Sequence, residues 1–179
     1  MGEVDDDFRE FVVHRSPALS RVAYLLTGDH QLAEDLLQTA LAKAFPRWRR
    51  IRGGDPAAYV RRVMYHQHIS WWRRRRVVEV PGWSGPDPAG ADSSEASALR
   101  LTLVAALRRL TPRQRAVLVL RFYEDLTEAQ VARELGLTVG TVKRHAHDGL
   151  NRLRAVAPDL VEAATDRAEP DVNTRWRVG

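Results

Sequence analysis

The chain has 179 residues, of which 44% are apolar and 28% charged, and a net charge of +5. This is the balance of a folded, water-facing protein with room for one ordinary domain or two small ones. It has no cysteine, which excludes disulfide frameworks and thiolate metal sites, and no run near the ~18 apolar residues of a membrane span, so no membrane insertion is expected.

In chain order, the opening stretch MGEVDDDFRE is acidic and lacks an apolar core, so it does not read as a secretory signal and the cytoplasm is the expected compartment. Phe8, Phe11, Val12, Leu19, Val22 and Leu26 then recur at helical spacing, with Pro17 expected to kink or divide the helix. Thr27-Gly28-Asp29 stops that helix and caps the next. The second carries the stripe Leu32, Leu36, Leu37, Ala40, Leu41, Ala44 and ends at Pro46. Asp55-Pro56 opens a third helix, because aspartate caps well and proline suits the first helical position.

That third helix runs from Ala57 into ISWWRRRR. Helical spacing puts Val60, Val63, Met64, Gln67 and Trp71 on an inner face. Arg61, Arg62, Tyr65, His68, Ile69, Trp72 and the last arginines are expected outside. Guanidinium groups alternating with flat rings suit a nucleic-acid strand, since charge follows the backbone and rings stack on unpaired bases. A membrane-surface helix would need a broad apolar face that this domain requires for its own core.

Residues 1–76 carry a net +5, and residues 77–98, rich in Pro, Gly, Ser and acid, carry −4. The latter segment has no apolar periodicity and reads as a flexible linker. Residues 99–157 carry +6 and residues 158–179 carry −2. Two basic blocks on one chain suggest a polyanion touched at two places.

Leu99, Leu103, Leu107 and Leu110 restart the helical pattern, and Thr111-Pro112 begins another helix. In LTEAQVARELGLTVGTVKRHAHDGLNRLR, residues 126–154, Thr127 with Gln130 forms a capping-box pattern. Gly136 supplies a left-handed stop, and Thr138 caps a second helix three residues on. Two helices around a short glycine turn make a helix-turn-helix, whose second helix enters the major groove. Val142, Ala146, Gly149 and Leu153 share its inner face. Gly140, Arg144, His147, Asp148 and Asn151 point outward, with Thr141, Lys143 and His145 on the flanks; Arg152 and Arg154 suit phosphates. The expected fold class is therefore all-α: two small helical domains (1–76 and 99–157), the linker 77–98 and an acidic tail 158–179 of unassigned role.

Residues 110–154 resemble region 4 of an extracytoplasmic-function RNA polymerase sigma factor, of actinobacterial appearance, on Leu110 to Arg115, Ala132, Leu135, Gly136 and Gly140 to Lys143. DPAAYVRRVMYHQHISWWRRRR resembles region 2 of the same family, as do RIRGGDP and AEDLLQTALAKAF. The resemblance implies that Arg52, Gly53, Gly54, Asp55, Arg61, Arg62, Tyr65, His66, Ile69, Trp72, Arg73, Arg75 and Arg76 engage a promoter −10 element. It implies that Thr138, Gly140, Thr141, Lys143, Arg144, His147, Asp148 and Arg152 read the −35 element. Asp35, Gln38 and Leu41 would bind the polymerase clamp, with the flap as a further polymerase contact. The linker would follow the RNA path, and an anti-sigma factor is an expected partner.

His66, Ser70 and Asp148 depart from the residues common in the family at their positions, which bears on promoter sequence. No nucleophile–base set or phosphate-cradling loop points to catalysis, and no cofactor is expected. His66/His68 and His145/His147 are two residues apart on helices, diverge by about 200°, and make no metal pair. A stand-alone DNA-binding regulator would explain residues 111–154 equally well, but not the basic-aromatic helix of the first block.

Overall fold

The computed structural model describes residues 2–77 and 95–158; the side chains of residues 2–3, 75–77 and 95–99 lie outside that description. Most of the expected linker and nearly all of the acidic tail, including Trp176, also fall outside it. Among the described residues every regular element is helical. The helices are α1 (Gly2–Thr27), α2 (His30–Ala44), α3 (Trp48–Ile51), α4 (Pro56–Val77), α5 (Glu95–Arg108), α6 (Pro112–Leu118), α7 (Glu128–Leu135) and α8 (Val139–Val156). A 3-10 turn, Phe45–Arg47, precedes α3, and a π-helical turn, Val119–Tyr123, follows α6.

Local chemistry sets most of these boundaries. Asp29 caps α2 by accepting from the Leu32 amide at 2.8 Å. Thr111 with Gln114, and Thr127 with Gln130, form complete capping boxes at α6 and α7. Gly136, at φ 64°, ends α7 in the left-handed conformation that glycine adopts without Cβ strain. Pro17 does not divide α1, which runs unbroken through it. It sits on the exposed face, where the Val13 carbonyl that loses its helical donor faces water rather than core. Helix α5 begins at Glu95, inside the expected linker, because Glu95-Ala96-Ser97-Ala98 supplies good helix formers ahead of the leucine stripe.

Helices α1, α2 and α4 pack on one another, and α6 and α7 pack on α8. The apolar core does not stop between the two groups. Leu26, Leu36, Val60 and Met64 are continuous with Val117, Leu120, Val131, Leu135 and Val142. A cluster of Phe8, Phe11, Phe45 and Trp48, with ring centroids 4.9–6.3 Å apart, fastens the start of α1 to α3. The Trp48 indole donates to Asp7 at 3.0 Å, so loop 52–55 leaves from a fixed base.

Arg115 joins the two groups of helices. It is 1% exposed, and its guanidinium donates to the carbonyls of Leu107 at 2.8 Å, Leu26 at 2.6 Å and Leu110 at 3.4 Å. Leu26 and Leu107 lie in the last turns of α1 and α5, where carbonyls lack helical partners and carry the negative end of the helix dipole. Burial, and next the nearby Arg108, push the Arg115 pKa down to about 10, which leaves it charged at neutral pH. Replacing Arg115 with Met is expected to orphan the Leu26 and Leu110 carbonyls, Leu107 keeping the Leu110 amide at 3.1 Å, and to lower stability by about 2–4 kcal/mol in urea unfolding. Arg115→Lys should recover only part of this, because an ammonium cannot fork to three sites.

Candidate nucleic-acid interface

In the second group of helices, α7 and α8 are joined by residues 136–138. The Leu137 amide bonds back to Ala132 O at 2.9 Å, closing a tight turn. Thr138 caps α8, accepting from the Thr141 amide at 3.2 Å, and the two hydroxyls lie 2.8 Å apart. Val142 and Gly149 are buried. A Cβ on Gly149 would come within 3.1 Å of Leu118, so the close approach of α6 to α8 depends on glycine. That packing turns Gly140, Lys143, Arg144, His147, Asp148 and Arg152 to solvent, with Thr141 half-buried beside them.

One network on this face was not legible in the sequence. Arg154 donates to Asn151 Oδ1 at 3.0 Å, and the Asn151 amide nitrogen lies 2.9 Å from His147 Nε2. With the amide so oriented it can donate to His147 Nε2, which would leave Nδ1 as the donor of a neutral ring. Lys143 lies 3.8 Å from the Glu128 carboxylate. Burial, then Arg144 and Arg113, lower the pKa of half-buried His145.

In the first group, Asp55 caps α4 through the Ala58 amide at 2.9 Å. Gly53 has open space around it and Gly54 nearly so. Arg52 lies 3.4 Å from Asp7. Asp35 and Gln38 are exposed on α2, whereas Leu41 is half-buried against the core. Arg73 is exposed; the Arg75 and Arg76 side chains are among those not described.

The outward face expected for α4 is largely covered by the second group of helices, a departure from the sequence expectation. Tyr65 is 0% and His68 1% exposed, and Ile69 packs on the core. Arg62 forms a bidentate pair with Glu134, at 2.8 and 3.0 Å, and its pKa is raised first by that hydrogen bond and then by the carboxylate's charge. Arg61 pairs with Glu124 at 2.9 Å. His66 lies 3.1 Å from the Glu134 carbonyl. Trp72 is half-buried, with the Arg115 guanidinium 6.0 Å from its ring centroid. Trp71, expected inside, is half-buried too. Helical spacing within one segment cannot anticipate a neighbour more than fifty residues away in sequence, so Glu124 and Glu134 gave no signal.

The cover is imperfectly satisfied. The Tyr65 hydroxyl and both ring nitrogens of His68 are buried with no hydrogen-bond partner. Burial above all pushes the tyrosine pKa up and pushes His68 down to about 3, with Arg115 reinforcing the latter. Partly exposed ion pairs contribute about 0.2–1 kcal/mol each, whereas an orphaned buried polar group costs about 1–3 kcal/mol. Shared apolar burial must therefore supply most of the attraction between the two groups.

The fold and this face define an all-α protein that pairs a basic, aromatic helix with a helix-turn-helix. Comparison with known proteins agrees. Residues 11–77 match the model for Sigma-70 region 2, and residues 106–155 that for Sigma-70 region 4. An RNA polymerase sigma-E factor of Streptomyces coelicolor is 44% identical over 94% of this chain and 97% of its own. The ECF RNA polymerase sigma factor SigL of Mycobacterium tuberculosis is 34% identical over 79% and 84%. A solved structure of the sigma factor RpoE of Bartonella quintana, in complex with the anti-sigma factor NepR, matches with TM-score 0.64 at 25% identity, covering 87% of this chain and 97% of that one. The chain belongs to the extracytoplasmic-function family of RNA polymerase sigma factors, the non-catalytic subunits that give the polymerase its promoter specificity. No described helix is long and apolar enough to cross a membrane.

Two outcomes follow from the buried polar groups. Tyr65→Phe removes an unpartnered hydroxyl and is expected to raise unfolding free energy by about 1 kcal/mol, read as a higher urea midpoint. His68 is neutral when folded and has an ordinary value of 6.5, so the unfolded chain binds the extra proton at mildly acid pH. Stability should then fall by about 1 kcal/mol for each pH unit below about 6, and His68→Leu should flatten that part of the profile.

Proposed function

We propose that this sigma factor, acting in the cytoplasm with RNA polymerase, reads a −35 element with α8 and engages and opens a −10 element with α4 and loop 52–55. The observation that carries the proposal is the outward face of α8, where the Thr138 cap and the Gly149 contact present a row of groups suited to a major groove. Arg144 can pair with a guanine edge, the Nδ1–H of His147 can donate to a base acceptor, and Asp148 can accept from cytosine. Thr138, Gly140, Thr141, Lys143 and Arg152 suit the backbone around them.

On α4, Arg61, Arg62, His66, Trp72 and Arg73, followed in sequence by Arg75 and Arg76, offer cations and a ring to a separated strand. Tyr65 and Ile69 serve this role only if the second group of helices moves away. Exposed Asp35 and Gln38, with Leu41 behind them, form the proposed contact with the polymerase clamp, and the helix-turn-helix domain would meet the flap. The complex of the relative RpoE with NepR supports an anti-sigma factor as the regulatory partner.

Run-off transcription with bacterial core polymerase across a promoter library tests the proposal. The expected result is a set of promoter-specific transcripts that require this chain. Arg144→Ala should cost about 1–3 kcal/mol at one −35 position and relax its base preference. Lys143→Ala should weaken all promoters about equally. Binding to duplex DNA with no new transcripts would instead identify a stand-alone regulator.

A further inference from the structure

A cavity of about 210 Å³ opens where α4 meets the second group of helices. Polar groups reach it from two sides: Ser70 and Arg73 on α4, and Arg113 on α6. Ile69, Leu135 and Leu137 supply an apolar wall. Among the described residues no carboxylate lines it. Two arginines thus converge on one space from separate groups of helices.

Both guanidinium groups are uncommitted. Neither Arg73 nor Arg113 has a hydrogen bond or an ion pair among the described residues. The acidic residue beside Leu135 is engaged elsewhere: the Glu134 carboxylate takes up Arg62 at 2.8 and 3.0 Å, and its backbone carbonyl lies 3.1 Å from His66 Nε2. The Ser70 hydroxyl accepts from Arg74 at 3.3 Å, which leaves its own proton for a ligand. Two like charges facing one partly enclosed space raise each other's energy, and an anion between them removes that cost.

We propose that this cavity is a binding site for a small phosphate monoester, with the phosphate held between Arg73 and Arg113 and a flat or apolar body laid against Ile69, Leu135 and Leu137. A monoester carries about −1.5 to −2 at neutral pH and matches two guanidiniums, whereas each phosphodiester of a nucleic-acid strand carries a single charge. Guanidinium forks suit phosphate oxygens, and the Ser70 hydroxyl adds a further donor. The volume is small beside the roughly 300–1,000 Å³ of sites for larger ligands, so the body is no bigger than about one ring. Because each group of helices contributes one arginine, occupancy stabilises their packing by linkage. The site thereby couples the concentration of such a compound to that packing.

The test uses the isotope-labelled full chain titrated with phenyl phosphate and followed by amide NMR shifts. Saturable shifts are expected at Ser70 to Arg73, at Arg113 and at Leu135 to Leu137, with a melting temperature that rises as the probe is added. Phenyl phosphate should bind at least about threefold tighter than inorganic phosphate, which lacks a ring, and than methyl phenyl phosphate, which keeps the ring but carries one charge. R73Q and R113Q should each weaken phenyl phosphate roughly five- to twentyfold. Both side chains are exposed, so both variants should keep a cooperative melt.

An absence of saturable shifts up to about 10 mM probe, shifts centred on α8, or affinity unchanged in R113Q would each overturn the proposal. Equal or tighter binding of the diester, sensitive to R113Q, would assign the cavity to a nucleic-acid backbone and overturn it as well.

Discussion

A single buried guanidinium holds the ends of two helices that lie far apart in sequence. Arg115 donates to carbonyls from the last turns of α1 and α5 and from the connection at Leu110, and it has no carboxylate partner in that set. A full charge is tolerated there because helix C-termini concentrate unpaired carbonyls and negative dipole in one small volume. The arrangement ties the end of α1 to the start of the helix-turn-helix half, and what surrounds it follows from that tie. Gly28 turns at φ 69°, and the Arg108 side chain passes where a Cβ would sit. Trp72 lies near the outer side of the same guanidinium.

Once the two groups of helices are held at that point, the face of α4 has to meet α6 and α7. The resulting contact mixes favourable and costly terms. Leu120, Val131 and Leu135 join a core begun by Val60 and Met64, and two arginines find carboxylates. Against this stand a buried hydroxyl and an unpartnered imidazole. An association so balanced is easily shifted by a competing ligand, because only a small difference in affinity between open and closed forms is needed to redistribute them. A larger, wholly apolar interface would bury the same surface with far less scope for release. The mixed chemistry of α4 therefore lets it pack on its own second half while Arg62, His66 and Arg73 stay exposed.

Much of the fold was legible residue by residue. The caps at Asp29, Asp55, Thr111, Thr127 and Thr138, the stop at Gly136 and the inner face of α8 at Val142 and Gly149 are local. Each depends on side chains within one or two turns, so spacing and residue type suffice. That Pro17 does not divide α1 was not legible, because its cost depends on which face of α1 meets water, and that is set by α2 and α4. Tyr65 and His68 were misplaced for a related reason: helical periodicity identifies a second face but not what covers it.

The sequence by itself determined that this is an all-helical chain with two basic blocks, a helix-turn-helix and the motifs of a sigma factor, since helix signals and family motifs are short-range. Only the tertiary structure decided that Arg115 bridges two distant helix ends, that His147 presents a donor through Asn151 and Arg154, and that Glu124 and Glu134 cover α4. Those outcomes depend on side chains that meet across dozens of residues or on rotamers chosen by packing. Neither leaves a periodic trace along the chain.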